Sequence, residues 1–166
     1  MPTTYIKAPD EVKDLLREVL IAHHPDLIAA DVTFGLLMAA NDEGDAITHH
    51  GYPALAVIKV TNHKDRVLGL PDCSLAIDAA WWNTASIEER KAILDHEATH
   101  LVLVLDKQGA VKTDDCNRPK LKLRPHDCEL SIFLEIVDRH GKNSQEAQAY
   151  LGLVATMKQK KLKGDA

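Results

Sequence analysis

The first helical pattern in the chain lies between residues 10 and 23. Apolar side chains recur there at intervals of three and four residues, which places them on one face of an α-helix. Asp10 precedes them as a candidate N-cap, and Pro25 lies just beyond the predicted end. The pattern predicts an amphipathic helix with the following core positions: Val12, Leu15, Leu16, Val19 and Leu20.

Three later stretches have the composition of β-strands. Residues 32–40, VTFGLLMAA, are rich in β-formers and are followed by a polar turn, NDEGD. Residues 52–60, YPALAVIKV, are mostly apolar on both faces, which predicts a strand in the interior of a sheet. Residues 73–79, CSLAIDA, alternate in polarity, which predicts a half-buried strand. The polar residues 62–72 are predicted as a connection.

A capping box marks the start of the next predicted helix. Ser86 and Glu89 have the spacing in which each side chain bonds the backbone amide of the other residue. The helical pattern continues from there to about Leu105. A polar loop over residues 106–120 and a short strand, LKL, are predicted to follow.

Two further helices are predicted after this strand. One runs from about His126 to His140 and is closed by Gly141, a residue typical of helix C-termini. The other begins after Asn143 or Ser144 as its cap. The order of elements predicts an α+β fold in a single domain, with a core over about 10–142 and a C-terminal helix over about 144–161.

Composition and charge narrow the classes of function. The 166 residues are 45% hydrophobic and 27% charged, which is typical of a globular domain with an ordinary core. A net charge of −5 argues against a protein that mainly neutralises nucleic-acid phosphates or an anionic membrane surface. No apolar run approaches the roughly 20 residues of a membrane span, and the N-terminus lacks a signal-peptide core.

Cysteine usage points to a reducing compartment. Cys73, Cys116 and Cys128 are odd in number and contain no CxxC pair. They are therefore interpreted as reduced thiols of a cytoplasmic protein rather than as a disulfide framework.

The stretch ILDHEATHLVLVL, residues 93–105, contains the strongest candidate for chemistry. His96 and His100 are four residues apart, so on a helix both imidazoles lie on one face and can reach a single Zn²⁺. Glu97 is offset by about 100° and stands beside the metal, where a general base can take a proton from zinc-bound water. The motif predicts a catalytic zinc site with Glu97 as its base.

A catalytic zinc ion normally has three protein ligands and one open position. His126 is the leading candidate for the third ligand, because a loop of this length can bring the start of the next helix back to the metal. Glu129, Glu135 and Cys128 remain alternatives. Asp127 or Glu129 is expected to orient an imidazole by a hydrogen bond. The histidine pairs 23–24 and 49–50 are interpreted as solvated side chains.

These motifs resemble those of small zincin-fold metallopeptidases. A strand before a capped helix with DHEATH, and a later HD step that opens another helix, are similar to the SprT-like proteases. The element RPHDCELSIFLEIVDRHG, residues 124–141, resembles the phage metallopeptidase family more closely. The resemblance covers about residues 10–142, and Asp127 stands where the SprT pattern has glycine.

The resemblance implies a fold, a ligand set and an activity. The fold would be a small zincin-like one, with a three- to four-stranded, mostly antiparallel sheet packed against the HExxH helix. Zinc would be held by His96, His100 and His126, with Glu97 as the base. In a peptidase, the strand at 73–80 would be the sheet edge on which a peptide substrate pairs. Trp81 and Trp82 would be either a subsite wall or core residues.

Two classes of function follow from these observations. The first is a zinc-dependent metallopeptidase that hydrolyses a peptide bond of an intracellular protein, in the host cytoplasm if the protein is phage-encoded. The second is a non-catalytic zinc-binding interaction or regulatory protein on the same scaffold. Glu97 favours the enzyme, because a structural zinc site needs no base. A protein or peptide partner is expected, without direct nucleic-acid binding and without a membrane.

Overall fold

The computed structural model describes residues 2–42, 45–126 and 133–164. The chain divides into two compact units, residues 1–125 and 126–166, which are described separately. The single domain inferred above stays a prediction. The strands of the first unit are β1 (Thr4–Lys7), β2 (Phe34–Ala40), β3 (Thr48–His49), β4 (Tyr52–Pro53), β5 (Ala56–Val60), β6 (Cys73–Asp78), β7 (Leu101–Leu103) and β8 (Leu121–Leu123). Its helices are α1 (Asp10–His23), α2 (Pro25–Ala29), α3 (His63–Val67), α4 (Ala79–Thr84) and α5 (Ile87–Thr99).

A mixed sheet forms the centre of the first unit. Within the described residues its four strands lie in the order β1-β2-β6-β5. β2 pairs with β6 in parallel, whereas β1 with β2 and β5 with β6 are antiparallel pairs. The predicted α+β class is confirmed. The sheet has four strands, as expected, and it is mixed, with two antiparallel pairs and one parallel pair.

Two strand placements differ from the prediction. β6 lies inside the sheet and is buried along nearly its whole length, so its alternating sequence does not mark a half-buried strand. β5, predicted as an interior strand, is instead at an edge of the sheet. Its apolar residues lie next to elements that are not part of this sheet, because α5 and β8 both contact β5. The strand at 73–80 therefore cannot be the edge on which a peptide pairs.

The core lies between the sheet and the two long helices of this unit. α1 has the predicted bounds, and its five predicted core positions are all buried. Its N-cap is Pro9, and Asp10 is its first helical residue rather than the cap. α1 packs on α5, and ion pairs between Glu18 and Lys91 and between Glu11 and Arg90 flank that contact.

α5 is shorter than predicted, because the chain leaves the helix inside the apolar stretch. The capping box at Ser86 and Glu89 is formed, but the helix ends at Thr99 and β7 begins at Leu101. β7 pairs with β8 in an antiparallel ladder, and Leu101 is buried in the core. Tertiary pairing with a segment twenty residues away overrides the helical periodicity of the sequence.

The short helices α3 and α4 lie outside the predicted helices, α3 in the segment predicted as a connection and α4 directly after β6. Asn62 caps α3 by accepting the N–H of Asp65, and Asp78 caps α4 by accepting the N–H of Trp81. Trp82 is buried in the core beneath the guanidinium of Arg90, 5.0 Å from its ring centre. Trp82 is therefore a core residue, the second of the two roles considered for this pair.

The second unit is helical in its described part. It contains α6 (Leu134–His140), a 3₁₀ turn at Gly141–Asn143 and α7 (Gln145–Gly164). Gly141 has a positive φ of 52° at the end of α6, as its predicted role requires, and Ser144 caps α7 by accepting the N–H of Ala147. Residues 127–132 lie outside the described residues. No helix in the described ranges has both the length and the apolar content needed to cross a membrane.

Candidate metal centre

The HEATH motif forms the C-terminal turn of α5 rather than the middle of a helix. His96 and Glu97 are in its last turn, and His100 is the C-cap with φ −67° and ψ −23°. His96 is exposed and His100 is partly exposed, so both imidazoles reach solvent. Because His100 still has helical dihedral angles, it remains on the face that His96 occupies one turn earlier.

The β7–β8 hairpin brings Arg124 alongside His100. The ladder pairs Leu101 with Leu123, and Arg124 N–H extends it by donating to the His100 carbonyl at 2.7 Å. His100 N–H is used inside the helix, where it donates to the Glu97 carbonyl at 3.2 Å. The backbone of His100 therefore does not return a hydrogen bond to the Arg124 carbonyl. That carbonyl accepts a hydrogen bond from the His100 side chain.

This side-chain contact fixes the tautomer of His100. Its Nδ1 lies 2.7 Å from the Arg124 carbonyl oxygen, which only accepts hydrogen bonds, so Nδ1 carries the proton. Nε2 is then the unprotonated ring nitrogen, which is the usual arrangement when a carbonyl orients a ligating histidine.

The spacing of the two imidazoles matches a shared metal ion. The Nε2 atoms of His96 and His100 are 3.3 Å apart. Two ligands of a tetrahedral zinc ion, each at about 2.0–2.1 Å, lie about 3.3–3.4 Å from one another. The distance between the two nitrogens is therefore the one that two ligands of a tetrahedral zinc ion would have.

His126 completes a group of three possible ligands. Its donor atom and those of His96 and His100 all lie within 4.8 Å of one another. Within the described residues this is the one group of three or more such side chains that could hold a metal ion. Glu135 is outside it and pairs with Arg139 at 2.7 Å. Of the other residues considered, Asp127, Cys128 and Glu129 lie outside the described residues.

Glu97 is beside the histidines but is not a member of their group. Its side chain is buried, and its carboxylate accepts the backbone N–H of Ile58 on the edge strand β5. Burial raises the pKa of Glu97, while the Ile58 amide, and His100 whenever its ring is protonated, act in the opposite direction. A carboxylate so placed is a better proton acceptor than an exposed one.

A buried ion-pair network holds the 106–120 loop between β7 and β8. Arg66 donates to Asp114 at 2.7 Å and to the Pro119 carbonyl at 2.9 Å. Arg118 binds Asp72, which is 1% exposed. The pKa of Asp114 falls to about 2, mainly because its carboxylate accepts the Arg118 backbone N–H and also binds Arg66. The loop is thus tied to the sheet, which fixes the hairpin that carries Arg124.

The other histidine pairs do not join the candidate centre. His24 Nε2 lies 2.7 Å from Asp95 Oδ1, which connects the end of α1 to α5 just before the motif. The rings of His49 and His50 meet edge to face with centres 4.1 Å apart.

Sequence analysis did not identify Ile58 or Arg124 as parts of the site. Both contribute backbone groups: an amide for Glu97 and a carbonyl for His100. Such contributions leave no trace in residue type, because every non-proline residue has the same amide and carbonyl.

Comparison with known proteins identifies one family. A family model described as "Putative phage metallopeptidase" matches residues 3–156, which is nearly the whole chain. No curated protein and no solved structure matches the chain. The matched region includes the candidate centre and both units of the structure, and the expected family is confirmed. The chain belongs to the phage metallopeptidase family.

Proposed function

We propose that the chain is a zinc-dependent metallopeptidase with a small zincin-like catalytic centre. His96, His100 and His126 hold the metal, and Glu97 is the general base. The observation that carries the proposal is the match between the 3.3 Å Nε2–Nε2 distance and the spacing of two ligands on tetrahedral zinc. The family supports a metal and peptidase activity, and the residues favour zinc.

The donor set favours zinc over hard cations. Three neutral imidazoles suit zinc and its neighbours among the transition metals, whereas magnesium and calcium take oxygen ligands. Three protein ligands also leave the fourth tetrahedral position open, as in catalytic rather than structural zinc sites.

Each residue has a separate task in hydrolysis. Zinc bound there would supply Lewis acidity to a water molecule and to the scissile carbonyl. Glu97 takes a proton from the water and passes it to the leaving amine. The Ile58 amide holds the Glu97 carboxylate in place, and the Arg124 carbonyl keeps the His100 proton on Nδ1. His100 is thereby held ready to bind metal without a change of tautomer.

The edge strand β5 is the proposed guide for the substrate, in place of β6. The Leu55 carbonyl accepts the Asp78 N–H, and the Thr61 N–H donates to the Asp72 carbonyl. The backbone N–H and C=O groups of alternate residues of β5 therefore point toward β6. Those of Ala56, Ile58 and Val60 then face outward. An extended peptide that pairs at the Ala56 end of β5 would pass close to Glu97, which already contacts Ile58.

The test replaces only the base. Glu97→Gln keeps the shape of the side chain, so zinc content should be unchanged while hydrolysis of an unstructured protein falls by roughly 10²–10⁴-fold. Glu88→Gln, an exposed change on the same helix, is the matched control and should retain full activity. Zinc is measured by elemental analysis and cleavage by mass spectrometry of new N-termini. Equal cleavage by wild type and Glu97→Gln, with zinc bound in both, would refute the peptidase mechanism.

A further inference from the structure

The β7–β8 hairpin has one apolar face and one basic face. Leu101 is buried, and Leu103 and Leu121 pack against the same core. Successive side chains of a strand point to opposite faces, so Lys120 and Lys122 lie on the other face, where both are exposed.

The charge of this region is opposite to that of the whole chain. Residues 100–126 contain six Lys or Arg side chains and three Asp, although the net charge of the protein is −5. Two of the three Asp side chains are already engaged. Asp106 and Asp114 accept backbone amides of their own turns, whereas Asp115 is exposed and lies 3.8 Å from His63. Arg118 is paired with Asp72. Four lysines of this region are exposed: Lys107, Lys112, Lys120 and Lys122.

The basic residues form a regular row that ends at the candidate metal centre. Lys122 lies in β8, and Lys120 and Arg124 flank this strand. The three residues occur at every second position, which spaces them by about 6.6–6.8 Å where the chain is extended. Arg124 is the backbone partner of His100, so the row leads directly to a proposed zinc ligand. Side chains on one side of an extended peptide repeat at the same interval.

We propose that this basic row binds an acidic, extended segment of the protein substrate next to the scissile bond. The inference rests on the proposed peptidase function and deepens it by naming the substrate class. Carboxylates at alternate positions of the segment meet Lys120 and Lys122 in register, and the segment then enters the metal centre beside Arg124.

A peptide fits this face better than a nucleic acid does. Single-stranded nucleic acids bind through aromatic side chains that stack on bases together with basic ones. The residues of β7 and its extension on the basic face are Val102 and Val104, which offer no ring for stacking. The overall negative charge also opposes the long-range attraction of a polyanion.

The experiment measures binding apart from cleavage. Zinc-loaded Glu97→Gln protein is titrated into three fluorescent probes: an extended peptide with glutamate at alternate positions, the same peptide with glutamine, and an oligothymidylate of equal charge. Each probe is repeated with Lys120→Glu/Lys122→Glu added to this protein. The matched control is Lys7→Glu/Lys13→Glu, which reverses two exposed lysines on β1 and α1. Lys120→Gln/Lys122→Gln checks that loss of binding follows charge, and thermal unfolding checks that all variants fold.

The glutamate probe should bind more tightly than the glutamine probe. The Lys120/Lys122 reversal should weaken its binding by about tenfold or more at low salt, with a smaller loss at high salt. The glutamine double variant should lie between, and the Lys7/Lys13 control should change binding by less than about twofold. Equal binding of the two peptides, or equal losses in the reversal and its control, would overturn the proposal. Tighter binding of the oligothymidylate would also overturn it.

A parallel assay separates this proposal from the peptidase function. Wild-type protein and Glu97→Gln are compared on an unstructured substrate with glutamate at alternate positions and on the same substrate with glutamine at those positions. Glu97-dependent cleavage without any preference for the glutamate probe would refute the acidic-substrate surface and leave the peptidase intact. Lysine-dependent binding of the glutamate probe without any cleavage would support the surface and refute the peptidase.

Discussion

Removing the guanidinium of Arg118 should destabilise the protein by about 3 kcal/mol. Arg118→Met keeps most of the side chain's volume but deletes the contacts to Asp72, at 2.5 and 3.2 Å, and to the Asp31 carbonyl at 2.6 Å. Loss of one partner of a buried ion pair costs about 3–5 kcal/mol, because the other charge stays buried. We expect the lower end, because Arg66 remains 3.3 Å from Asp72 and Arg118 is itself 30% exposed.

Urea unfolding followed by circular dichroism measures this loss. With an m-value of about 2 kcal/mol/M, a loss of about 3 kcal/mol lowers the midpoint by about 1.5 M. Arg17→Met, at an exposed position of α1, is the control and should shift it by less than about 0.3 M. A midpoint shift as small as that of the control in Arg118→Met would show that the ion-pair network contributes little to the free energy of unfolding.

The effect should depend on pH in a defined direction. Burial alone would raise the pKa of Asp72, but hydrogen bonds from Arg118 and Thr33 outweigh it and hold the pKa below its usual value. In the wild type the ionised Asp72 stabilises the folded protein above its unfolded pKa of about 4. This stabilisation is lost as pH falls through the lower pKa of Asp72 in the folded protein. Without Arg118 the folded pKa rises, and protonation relieves the buried charge. The stability difference should therefore narrow below about pH 5, and a difference that widens in acid would contradict the reasoning.

Three smaller predictions concern the helix cap, the core and the thiols. Ser86→Ala removes the α5 cap and should cost about 1 kcal/mol in urea unfolding, and no change would mean that the capping box does not stabilise α5. Leu94→Ala empties a fully buried position and should cost about 2–5 kcal/mol by the same measurement, and a loss below about 1 kcal/mol would show that the core collapses around it. Burial raises the pKa of Cys73 to about 12, so iodoacetamide at mildly alkaline pH should label the partly exposed Cys116 and spare Cys73, as mapped by peptide mass spectrometry. Equal labelling of both in the folded protein would contradict the burial of Cys73.

Local patterns predicted those elements whose limits are set by nearby residues. The bounds of α1 and the start of α5 follow from apolar spacing and from the capping box, which act over three or four residues. β2 and β8 were also found, within two residues, from their composition. The HExxH spacing pointed to His96 and His100, which the structure brings within contact of each other.

Tertiary pairing decided what local patterns could not. The apolar run after His100 reads equally well as a helix, and its pairing with residues 121–123 makes it a strand. The register of the same hairpin places Arg124 next to His100, and His126 follows two residues later in the chain. Spacing along the sequence offered His126 only as one of several third ligands. The edge position of β5 likewise depends on strand order, which composition does not encode.

Zinc content tests the three-histidine centre most directly. Wild type, His126→Ala and the control His63→Ala are purified, loaded with zinc, dialysed and measured by elemental analysis. The proposed centre predicts one zinc ion per chain in the wild type and in His63→Ala, and little in His126→Ala, since two imidazoles bind zinc far more weakly than three. Undiminished zinc in His126→Ala, or none in the wild type after loading, would contradict it.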